Sequence, residues 1–305
     1  MPELPEVETV RRTLRPRVVG RRIRWVEVLT PRQIYHPDPD TFAAELEGAV
    51  FEDIERRGKY LLFHLGPLLL VAHLRMSGHL FVCRPDEPRE RHLHVVFHLD
   101  DGQELRYADQ RKFGGFHLLG PDRQGMPTGL AKLGPEPLSP SFTPEALAAA
   151  LAGRRTSIKA ALLNQELVAG LGNIYADEAL FCARIHHARQ AASLTPDEVA
   201  RLHGCIRRVL TRAIERRGTT FSLYRDGEGY EGDMYDELQV FDRTGEPCPV
   251  CGTPIQKVAV AQRGTHFCPR CQPVPEGVAL AARRARPGRR GRTVRVAAEP
   301  PGKYR

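Results

Sequence analysis

Cys248-Pro-Val-Cys251 and Cys268-Pro-Arg-Cys271 are two C-x2-C pairs separated by sixteen residues. This spacing is typical of four-thiolate zinc sites, in which each pair directs two thiolates towards one point and two pairs complete a tetrahedron. Because four thiolates leave no open coordination position, we expect one structural Zn2+ and no catalytic metal. The alternative, two structural disulfides, is disfavoured in a chain that we interpret as cytosolic.

The residues between the two cysteine pairs predict a short hairpin. Residues 255–261 and 265–267 can form its strands, with the turn at Arg263-Gly264. A rigid turn would present the Arg263 guanidinium to a phosphate, although a solvated turn arginine is the simpler interpretation of these residues alone. Cys83, Cys182 and Cys205 lack metal-ligand spacing, and we expect them to be buried as small apolar side chains.

Upstream of the cysteine module, the chain divides into a strand-rich part and a helical part. Residues 2–19 carry apolar side chains at helical spacing, and residues 21–119 contain short alternating segments separated by turn residues. These patterns predict one helix followed by a β-sandwich or barrel. The Pro- and Gly-rich segment 120–140 is the expected domain boundary. Beyond it we predict helices from Pro144, at 156–165, at 174–182 and at 195–218, and then a long loop at 219–236.

The charge and hydropathy of the chain exclude some classes of protein. The formal net charge is +8, but residues 273–305 carry nine basic and two acidic side chains, so the rest of the chain is nearly neutral. Bulk charge is therefore not evidence for nucleic-acid binding by the body of the protein. No apolar run approaches the length of a membrane span, and the N-terminus lacks a signal-peptide pattern. We expect a cytosolic protein with a disordered basic tail.

The N-terminal residues can supply a nucleophile. A small residue after Met1 normally permits removal of the methionine, which would free the secondary amine of Pro2. An α-amine has a pKa near 8 and is therefore a better nucleophile at neutral pH than a lysine. Glu3 and Glu6 lie close enough along the chain to relay protons. The alternative is structural: Pro2 starts a helix and the two glutamates complement its dipole.

Several ordered motifs resemble those of the bacterial formamidopyrimidine-DNA glycosylases, which are also called 8-oxoguanine DNA glycosylases. The similarity covers residues 2 to about 272 and includes the terminal cysteine ribbon. The matching stretches are Pro2-Glu-Leu-Pro-Glu-Val-Glu-Thr9, Arg57-Gly-Lys-Tyr60, His73-Leu-Arg-Met-Ser-Gly78, Asp109-Gln-Arg-Lys-Phe-Gly114, Leu133-Gly-Pro-Glu-Pro137, Gly170-Leu-Gly-Asn-Ile-Tyr175 and Ala261-Gln-Arg263.

The resemblance implies an α+β fold and a two-domain architecture with DNA in the cleft. Residues 1–132 would form an N-terminal helix and catalytic β-sandwich, and residues 133–240 a helix–two-turns–helix DNA-binding domain. Residues 241–272 would form the C4 zinc finger, followed by the basic tail 273–305. The implied partner is damaged double-stranded DNA, bound by a monomer without membrane association in the bacterial cytoplasm, at the nucleoid.

The resemblance also implies the chemistry. Such enzymes excise oxidised purines, 8-oxoguanine and formamidopyrimidines, and then nick the strand. Pro2 would attack the anomeric carbon and form a Schiff base, and Glu3 would act as acid and base in sugar-ring opening. Lys59 would donate a proton and contact phosphate, and Arg263 would donate the proton in the second of two eliminations, β and then δ.

The remaining implied residues contact DNA. An extrahelical base must be replaced in the stack, and the side chains implied for this are Met76, Arg111 and Phe113. Phosphate contacts are implied for His92, Arg111, Arg155, Lys159, Asn173 and Arg263. Lesion recognition is implied for the loop at 219–236, whose interior has no diagnostic motif. Lys112 replaces an arginine that is common in relatives, which keeps the charge but not the bidentate geometry.

Two alternatives remain open at this point. A sister enzyme resembling endonuclease VIII would excise oxidised pyrimidines, although its usual start is Pro-Glu-Gly-Pro-Glu, whereas Leu4 stands here. A non-enzymatic zinc-ribbon DNA-binding protein would carry the same cysteines but would need no free N-terminus.

Overall fold

The computed structural model describes residues 2–221, 224–274 and 276–277. The basic tail is predicted to be disordered. Most of it, residues 278–305, lies outside the described residues. The described helices are α1 Leu4–Val18, α2 Pro39–Leu46, α3 Thr128–Ala131, α4 Pro144–Leu151, α5 Ile158–Leu162, α6 Asn173–Cys182 and α7 Pro196–Glu215. The strands are β1 Ile23–Val28, β2 Ile34–His36, β3 Asp53–Arg57, β4 Tyr60–Leu65, β5 Leu68–His73, β6 Gly78–Cys83, β7 Leu93–Leu99, β8 Glu104–Asp109, β9 Gly115–Leu119, β10 Gln256–Val260 and β11 Arg263–Phe267.

The N-terminal strands form two sheets that pack face to face. One sheet has the order β2-β9-β5-β4-β3 and the other β1-β7-β8-β6. Their shared core contains Phe97 from one sheet and Phe116 from the other, with ring centroids 5.6 Å apart. The alternation of apolar residues in the sequence follows from this arrangement, because alternate side chains of each strand face the opposite sheet. The predicted α+β fold with a β-sandwich is confirmed.

Helix α1 belongs to both hydrophobic cores. Val7, Val10, Leu14 and Val18 pack into the sandwich, whereas Leu4 packs with the helices of the C-terminal half. Burial of an aliphatic side chain contributes roughly 1.5–3 kcal/mol, so the helix that directly follows Pro2 and Glu3 is held firmly at the junction of the two cores. The N-terminus of the chain is therefore positioned by packing on both sides.

Helices α4 to α7 form a second core that is joined by a covalent bridge. Cys182 at the end of α6 and Cys205 on α7 form a disulfide, with their Cα atoms 5.8 Å apart. The prediction that both are free buried thiols is therefore wrong, since helix packing brings together two residues separated by 23 positions. Cys83 is buried and free, as expected. None of the described helices is long and apolar enough to cross a membrane.

The cysteine module contains the predicted hairpin, but its turn differs. Strands β10 and β11 pair Val260 with Arg263, so the two turn residues are Ala261 and Gln262. Both have positive φ, of 47° and 60°, as the favoured two-residue hairpin turn requires. The prediction of a turn at Arg263-Gly264 is wrong because it followed the glycine, whereas two non-glycine residues adopt the left-handed conformation here. Arg263 is instead the first residue of β11.

Candidate active site and nucleic-acid interface

The start of α1 is anchored to the loop before α6. The Leu4 N–H donates to the carbonyl of Gly170 at 3.0 Å, and the Ile174 N–H donates to Glu3 Oε1 at 3.0 Å. A side chain at Gly172 would collide with the Glu3 carboxyl group. The glycines of the 170–173 motif are thus needed for close approach of the N-terminal residues, and Pro2 is buried beside them.

Glu3 and Lys59 are both buried, and their charges interact. Burial raises the pKa of Glu3, and the nearby Lys59 ammonium partly opposes that rise. Burial likewise lowers the pKa of Lys59, which the charges of Glu3 and Glu6 partly oppose. Glu3 Oε2 is buried and has no hydrogen-bond partner among the described residues. The pair therefore offers a carboxyl group that can hold a proton and an amine that can release one, beside the N-terminus.

The turn that carries Lys59 is held by an ion-pair network. Glu136 accepts a hydrogen bond from the Gly58 N–H at 2.5 Å and pairs with Arg57 at 3.1 Å. Arg57 also donates to the carbonyls of Leu133 and Gly134, at 2.9 and 2.6 Å. Gly58 has a φ of 57°, which a residue with a side chain would adopt only with strain. The 133–137 motif thus fixes the direction of the Lys59 turn.

Glu6 links the N-terminus to the segment after α7. Its Oε2 accepts from the Glu3 N–H at 2.7 Å, and its Oε1 accepts from the Thr219 N–H at 2.8 Å. The Tyr175 hydroxyl also donates to Glu6 Oε1. The sequence indicated Glu6 only as an acid near Pro2, and its position three residues after Glu3 was the available signal for a capping box.

The zinc-finger hairpin is fixed to helices α5 and α6 by its backbone. The Gly264 carbonyl accepts hydrogen bonds from Asn173 Nδ2 at 3.0 Å and from Lys159 Nζ at 3.3 Å. Lys159 pairs with Asp177 Oδ1 at 2.5 Å, and Asp177 Oδ2 accepts from the His266 N–H at 2.9 Å. This network fixes the position of Gly264 and therefore that of Arg263, the preceding residue, at which β11 begins.

Lys159 does not fit the predicted phosphate contact. Its side chain has no solvent exposure, and its ammonium group binds Asp177 and the Gly264 carbonyl. The sequence showed a lysine near a helix start but could not show its burial. Asn173 is half-buried, and its Nδ2 donates a hydrogen bond to the Gly264 carbonyl.

Glu178, next to Asp177, accepts from the N–H groups of three residues that lead into the finger, Gln239, Val240 and Phe241.

Arg263 lies close enough to Lys59 for their charges to interact. It is exposed at the start of β11, and its charge contributes to the lowered pKa of Lys59, after burial as the main cause. Arg263 and Lys59 are far apart in the sequence, so only the fold brings them together. The charges of Glu3, Lys59 and Arg263 thus interact, and Pro2 directly precedes Glu3 in the chain.

The four cysteines fit one zinc ion. Their Sγ atoms all lie within 4.8 Å of one another, with Cys248–Cys271 at 3.8 Å and Cys251–Cys268 at 3.5 Å. Zn–S bonds of about 2.3 Å in a tetrahedron place sulfur atoms about 3.8 Å apart. The finger's small core, which includes Val240, Ile255 and Phe267, is too small to fold without such a ligand.

Two loops at one end of the sandwich are organised around Asp109. Asp109 accepts from the Ser77 hydroxyl at 2.5 Å and from the N–H groups of Arg111, Phe113 and Gly114 at 2.8 to 3.1 Å. Burial opposes its ionisation, but these hydrogen bonds outweigh that effect and lower its pKa. Asp109 and Ser77 lie within motifs that the sequence analysis identified, but their role in holding the two loops was not predicted, because most partners of the buried acid are backbone groups that a sequence does not display.

The Asp109 loops present exposed apolar side chains. Phe113 is 52% exposed and Met76 is 39% exposed, which is unusual for residues of this size. Arg111 is exposed and its guanidinium lies 4.9 Å from the Phe113 ring centroid. The structure thus brings Arg111 and Phe113 into contact and places Met76 next to Ser77 in the facing loop.

Two further predicted phosphate contacts are Arg155 and His92. Arg155 is exposed before the start of α5. His92 is half-buried before β7, and its carbonyl accepts from the Asp109 N–H at 2.9 Å.

Family models match most of the chain. Residues 1–116 match the formamidopyrimidine-DNA glycosylase N-terminal domain, and residues 133–225 match the H2TH domain of the same glycosylase. Residues 245–274 match the zinc finger found in FPG and IleRS. A curated formamidopyrimidine-DNA glycosylase from Symbiobacterium thermophilum is 86% identical over the whole length of both chains. The chain belongs to the formamidopyrimidine-DNA glycosylase family.

Further relatives of the glycosylase family show the same pattern. The enzyme from Chloroflexus aurantiacus is 50% identical over 89% of this chain and 98% of its own. A complex between Lactococcus lactis Fpg and an abasic-site-containing DNA has a TM-score of 0.83 and 43% identity, covering 89% of this chain and all of that one. A structure of MutM with DNA that contains carbocyclic 8-oxo-G has a TM-score of 0.82 and 44% identity, over 90% of this chain and all of that one.

Membership of the formamidopyrimidine-DNA glycosylase family confirms the predicted enzyme class. Members are DNA N-glycosylases with AP lyase activity, so the non-enzymatic alternative is excluded. The zinc-finger match and the four-cysteine group together confirm the predicted structural zinc.

Proposed function

We propose that this chain excises oxidised purines, 8-oxoguanine and formamidopyrimidines, from duplex DNA through a Schiff base at Pro2 and then nicks the strand by β,δ-elimination. The single observation that carries the proposal is the geometry around Glu3. Its carboxyl group is buried next to Pro2 in the chain, accepts a hydrogen bond from the Ile174 N–H at 3.0 Å, and interacts with the charge of Lys59, while burial raises its pKa.

The first steps replace the base by the protein. The Pro2 nitrogen bonds to C1′ as the bond from C1′ to the base breaks, and the proton that the nitrogen loses is taken up by the released base. The protonated Glu3 carboxyl group donates its proton to O4′ as the C1′–O4′ bond breaks, which leaves an iminium ion at Pro2. The raised pKa of Glu3 supports this role because it keeps the acid form populated at higher pH.

The later steps break the DNA strand. The iminium ion acidifies the C2′ proton, and its loss expels the 3′ phosphate; a second elimination expels the 5′ phosphate. Lys59 is buried next to Glu3 in the site, which supports proton donation, and we propose that it also contacts a phosphate when DNA is bound. Arg263 is the proton donor for the second elimination, supported by its exposed position near Lys59.

The Asp109 loops would fill the space left by the extrahelical base. Met76 and Phe113 suit insertion between bases, and Arg111 can pair with the acceptors of the orphaned cytosine. Phe113→Ala should slow base flipping more than it weakens binding to undamaged DNA. The measurement compares single-turnover excision with binding to an undamaged duplex, and an equal loss in both would contradict the wedge role.

Backbone contacts would hold the duplex in the cleft. His92, Arg111, Arg155, Asn173 and Arg263 are the proposed phosphate ligands, with the α6 N-terminus beside Asn173 adding backbone N–H groups. Lys159 is not included, because it is buried in its pair with Asp177.

The proposed domains follow from the same function. Residues 1–132 carry the catalytic sandwich, 133–240 the DNA-binding helices, 241–272 the finger and 273–305 a basic tail. We further propose that the enzyme acts as a monomer on damaged double-stranded DNA at the nucleoid of the bacterial cytoplasm.

Borohydride trapping tests the proposal. Reduction in the presence of a duplex with 8-oxoguanine opposite cytosine should give a covalent protein–DNA adduct, and acetylation of the N-terminus should abolish it. Preferential excision of thymine glycol over 8-oxoguanine would favour the endonuclease VIII-like alternative. An adduct that is unaffected by acetylation would contradict the Pro2 mechanism.

A further inference from the structure

The loop that carries Phe113 is held through its carbonyl groups as well as through its N–H groups. Asp109 accepts from the N–H groups of Phe113 and Gly114. The carbonyl oxygens of the same two residues accept from the Tyr35 hydroxyl, at 2.9 Å for Phe113 and 3.0 Å for Gly114. A hydroxyl group donates one proton, so the two carbonyls share it. Tyr35 is therefore a second anchor of this loop, and it comes from a distant part of the chain.

The sandwich fixes the position of Tyr35. Tyr35 is the middle residue of β2, at the edge of the five-stranded sheet. Its neighbour Ile34 is buried in the sandwich core and pairs with Phe116 of β9. A Cβ atom at Gly115 would lie only 2.2 Å from the Gln33 carbonyl oxygen and 3.0 Å from the Tyr35 ring. The close approach of β2 to β9 thus requires this glycine, and it brings the Tyr35 hydroxyl to the Phe113 loop.

The backbone of the Phe113 loop needs such anchors. Lys112, directly before Phe113, has a φ of 57°, a left-handed conformation that a residue with a side chain adopts only at a cost in energy. The fully buried Gln33 adds a long hydrogen bond from its Nε2 to the Lys112 carbonyl, at 3.4 Å. Because half of the Phe113 side chain is exposed, packing restrains the ring only in part. The hydrogen bonds to the loop backbone therefore contribute to the direction in which the ring projects.

Tyr35 also lies close enough to Arg75 for the charge of that residue to act on its hydroxyl. Burial raises the pKa of Tyr35, and the charge of Arg75 partly opposes the rise. The hydroxyl is therefore a neutral donor in the physiological pH range. Arg75 directly precedes Met76, so Tyr35 interacts with both of the loops whose apolar side chains are proposed to enter the base stack.

We propose that Tyr35 is a positioning residue for Phe113, whose ring its hydroxyl directs towards the base stack by holding the two carbonyls of the loop. This inference rests on the proposed function, in which Phe113 fills the space left by an extrahelical base. Tyr35 acts on the DNA through the Phe113 ring alone. Loss of the hydroxyl should therefore slow the departure of the base from the stack, and it should have no effect once the ring is absent.

A double-mutant cycle tests the coupling of the two residues. Tyr35→Phe removes only the hydroxyl group. Single-turnover excision of 8-oxoguanine should fall about fivefold, the effect of one lost hydrogen bond, while binding to an undamaged duplex should stay within about twofold. In an enzyme that already carries Phe113→Ala, the same substitution should cause no further loss.

A fluorescent base reports the step directly. 2-Aminopurine placed next to the lesion becomes brighter as stacking is lost, and Tyr35→Phe should slow this rise by the same factor as excision. Trp25→Phe is the matched control, because Trp25 is an aromatic residue of similar exposure, 47% against 45% for Tyr35, on a strand of the other sheet. Its excision rate and its fluorescence rise should match those of the wild type.

The possible failures are distinguishable. A normal excision rate in Tyr35→Phe, losses that multiply in the double variant, or an equal loss of binding to undamaged duplex would overturn the role of Tyr35. A normal excision rate in Phe113→Ala would overturn the insertion of Phe113, and this inference with it. Failure of the wild-type enzyme to excise any oxidised purine would instead overturn the proposed function.

Discussion

Lys159 Nζ lies 2.5 Å from Asp177 Oδ1, and neither side chain is accessible to solvent. Removing one partner of a buried ion pair costs roughly 3–5 kcal/mol, because the other charge is left uncompensated, whereas replacing both by apolar residues is often close to neutral. We therefore expect Lys159→Met and Asp177→Leu each to lower the thermal midpoint strongly, and the double variant to recover most of the loss. Calorimetry measures this, and additive losses in the double variant would contradict the pairing.

The double variant should recover stability but should still be impaired in the second elimination. The double variant also lacks the Lys159 bond to the Gly264 carbonyl and the Asp177 bond to the His266 N–H. Arg263 would then be held less firmly, so the product of the second elimination should decrease relative to that of the first on an abasic-site duplex. Gel analysis of the two product ends measures the ratio.

Removal of zinc should disorder the finger and leave the β-sandwich folded. Four thiolates held in place by the metal organise the hairpin that carries Arg263, and the finger has little core of its own. We expect chelation to abolish DNA binding without loss of the β-sandwich signal in circular dichroism, and added Zn2+ to restore binding. Binding in the nanomolar range after complete removal of the metal would contradict this expectation.

The Cys182–Cys205 disulfide should stabilise the helical domain when it is formed. It joins α6 to α7 across 23 positions, and closure of a loop of this size contributes roughly 3 kcal/mol. Reductant should lower the thermal midpoint of the zinc-saturated wild type, whereas a Cys182→Ser, Cys205→Ser double variant should show no such response. An equal effect of reductant on both proteins would place the sensitive thiols elsewhere.

Glu8 should make the fold sensitive to acid. Burial alone would raise the pKa of Glu8, but hydrogen bonds from Arg11 and Arg12 outweigh burial and lower it to about 2. Since the folded pKa is depressed, the stabilisation is present above pH 4.5 and is lost as the pH falls towards about 2. After allowance for partial exposure, it is on the order of 2 kcal/mol.

A comparison of unfolding free energies across pH isolates the contribution of Glu8. The difference between wild type and Glu8→Gln should be constant above pH 5 and should shrink through the acid range. Glu45→Gln, at an exposed position on α2, is the control and should follow the wild type. A constant difference down to pH 2 would contradict the assigned ion pairs.

Much of the architecture could be predicted because its signals are local. The zinc cysteines, the α1 pattern and the alternating strands each lie within a few residues of sequence. Two errors arise where separated residues meet, the burial of Lys159 by Asp177 and the pairing of Cys182 with Cys205. The third is local, because two non-glycine residues adopt positive φ in the hairpin turn. Glu6 accepts from the N–H of Thr219, far along the chain, whereas Asp109 accepts from N–H groups of the next few residues, in a turn whose conformation the sequence did not indicate.

The most direct test locates the covalent bond. The enzyme is reduced with borohydride on an 8-oxoguanine:cytosine duplex, digested, and analysed by peptide mass spectrometry. We predict a deoxyribose remnant on the Pro2 nitrogen of the peptide that lacks Met1. A remnant on Lys59 or on any other residue, or active enzyme that retains Met1, would contradict the mechanism.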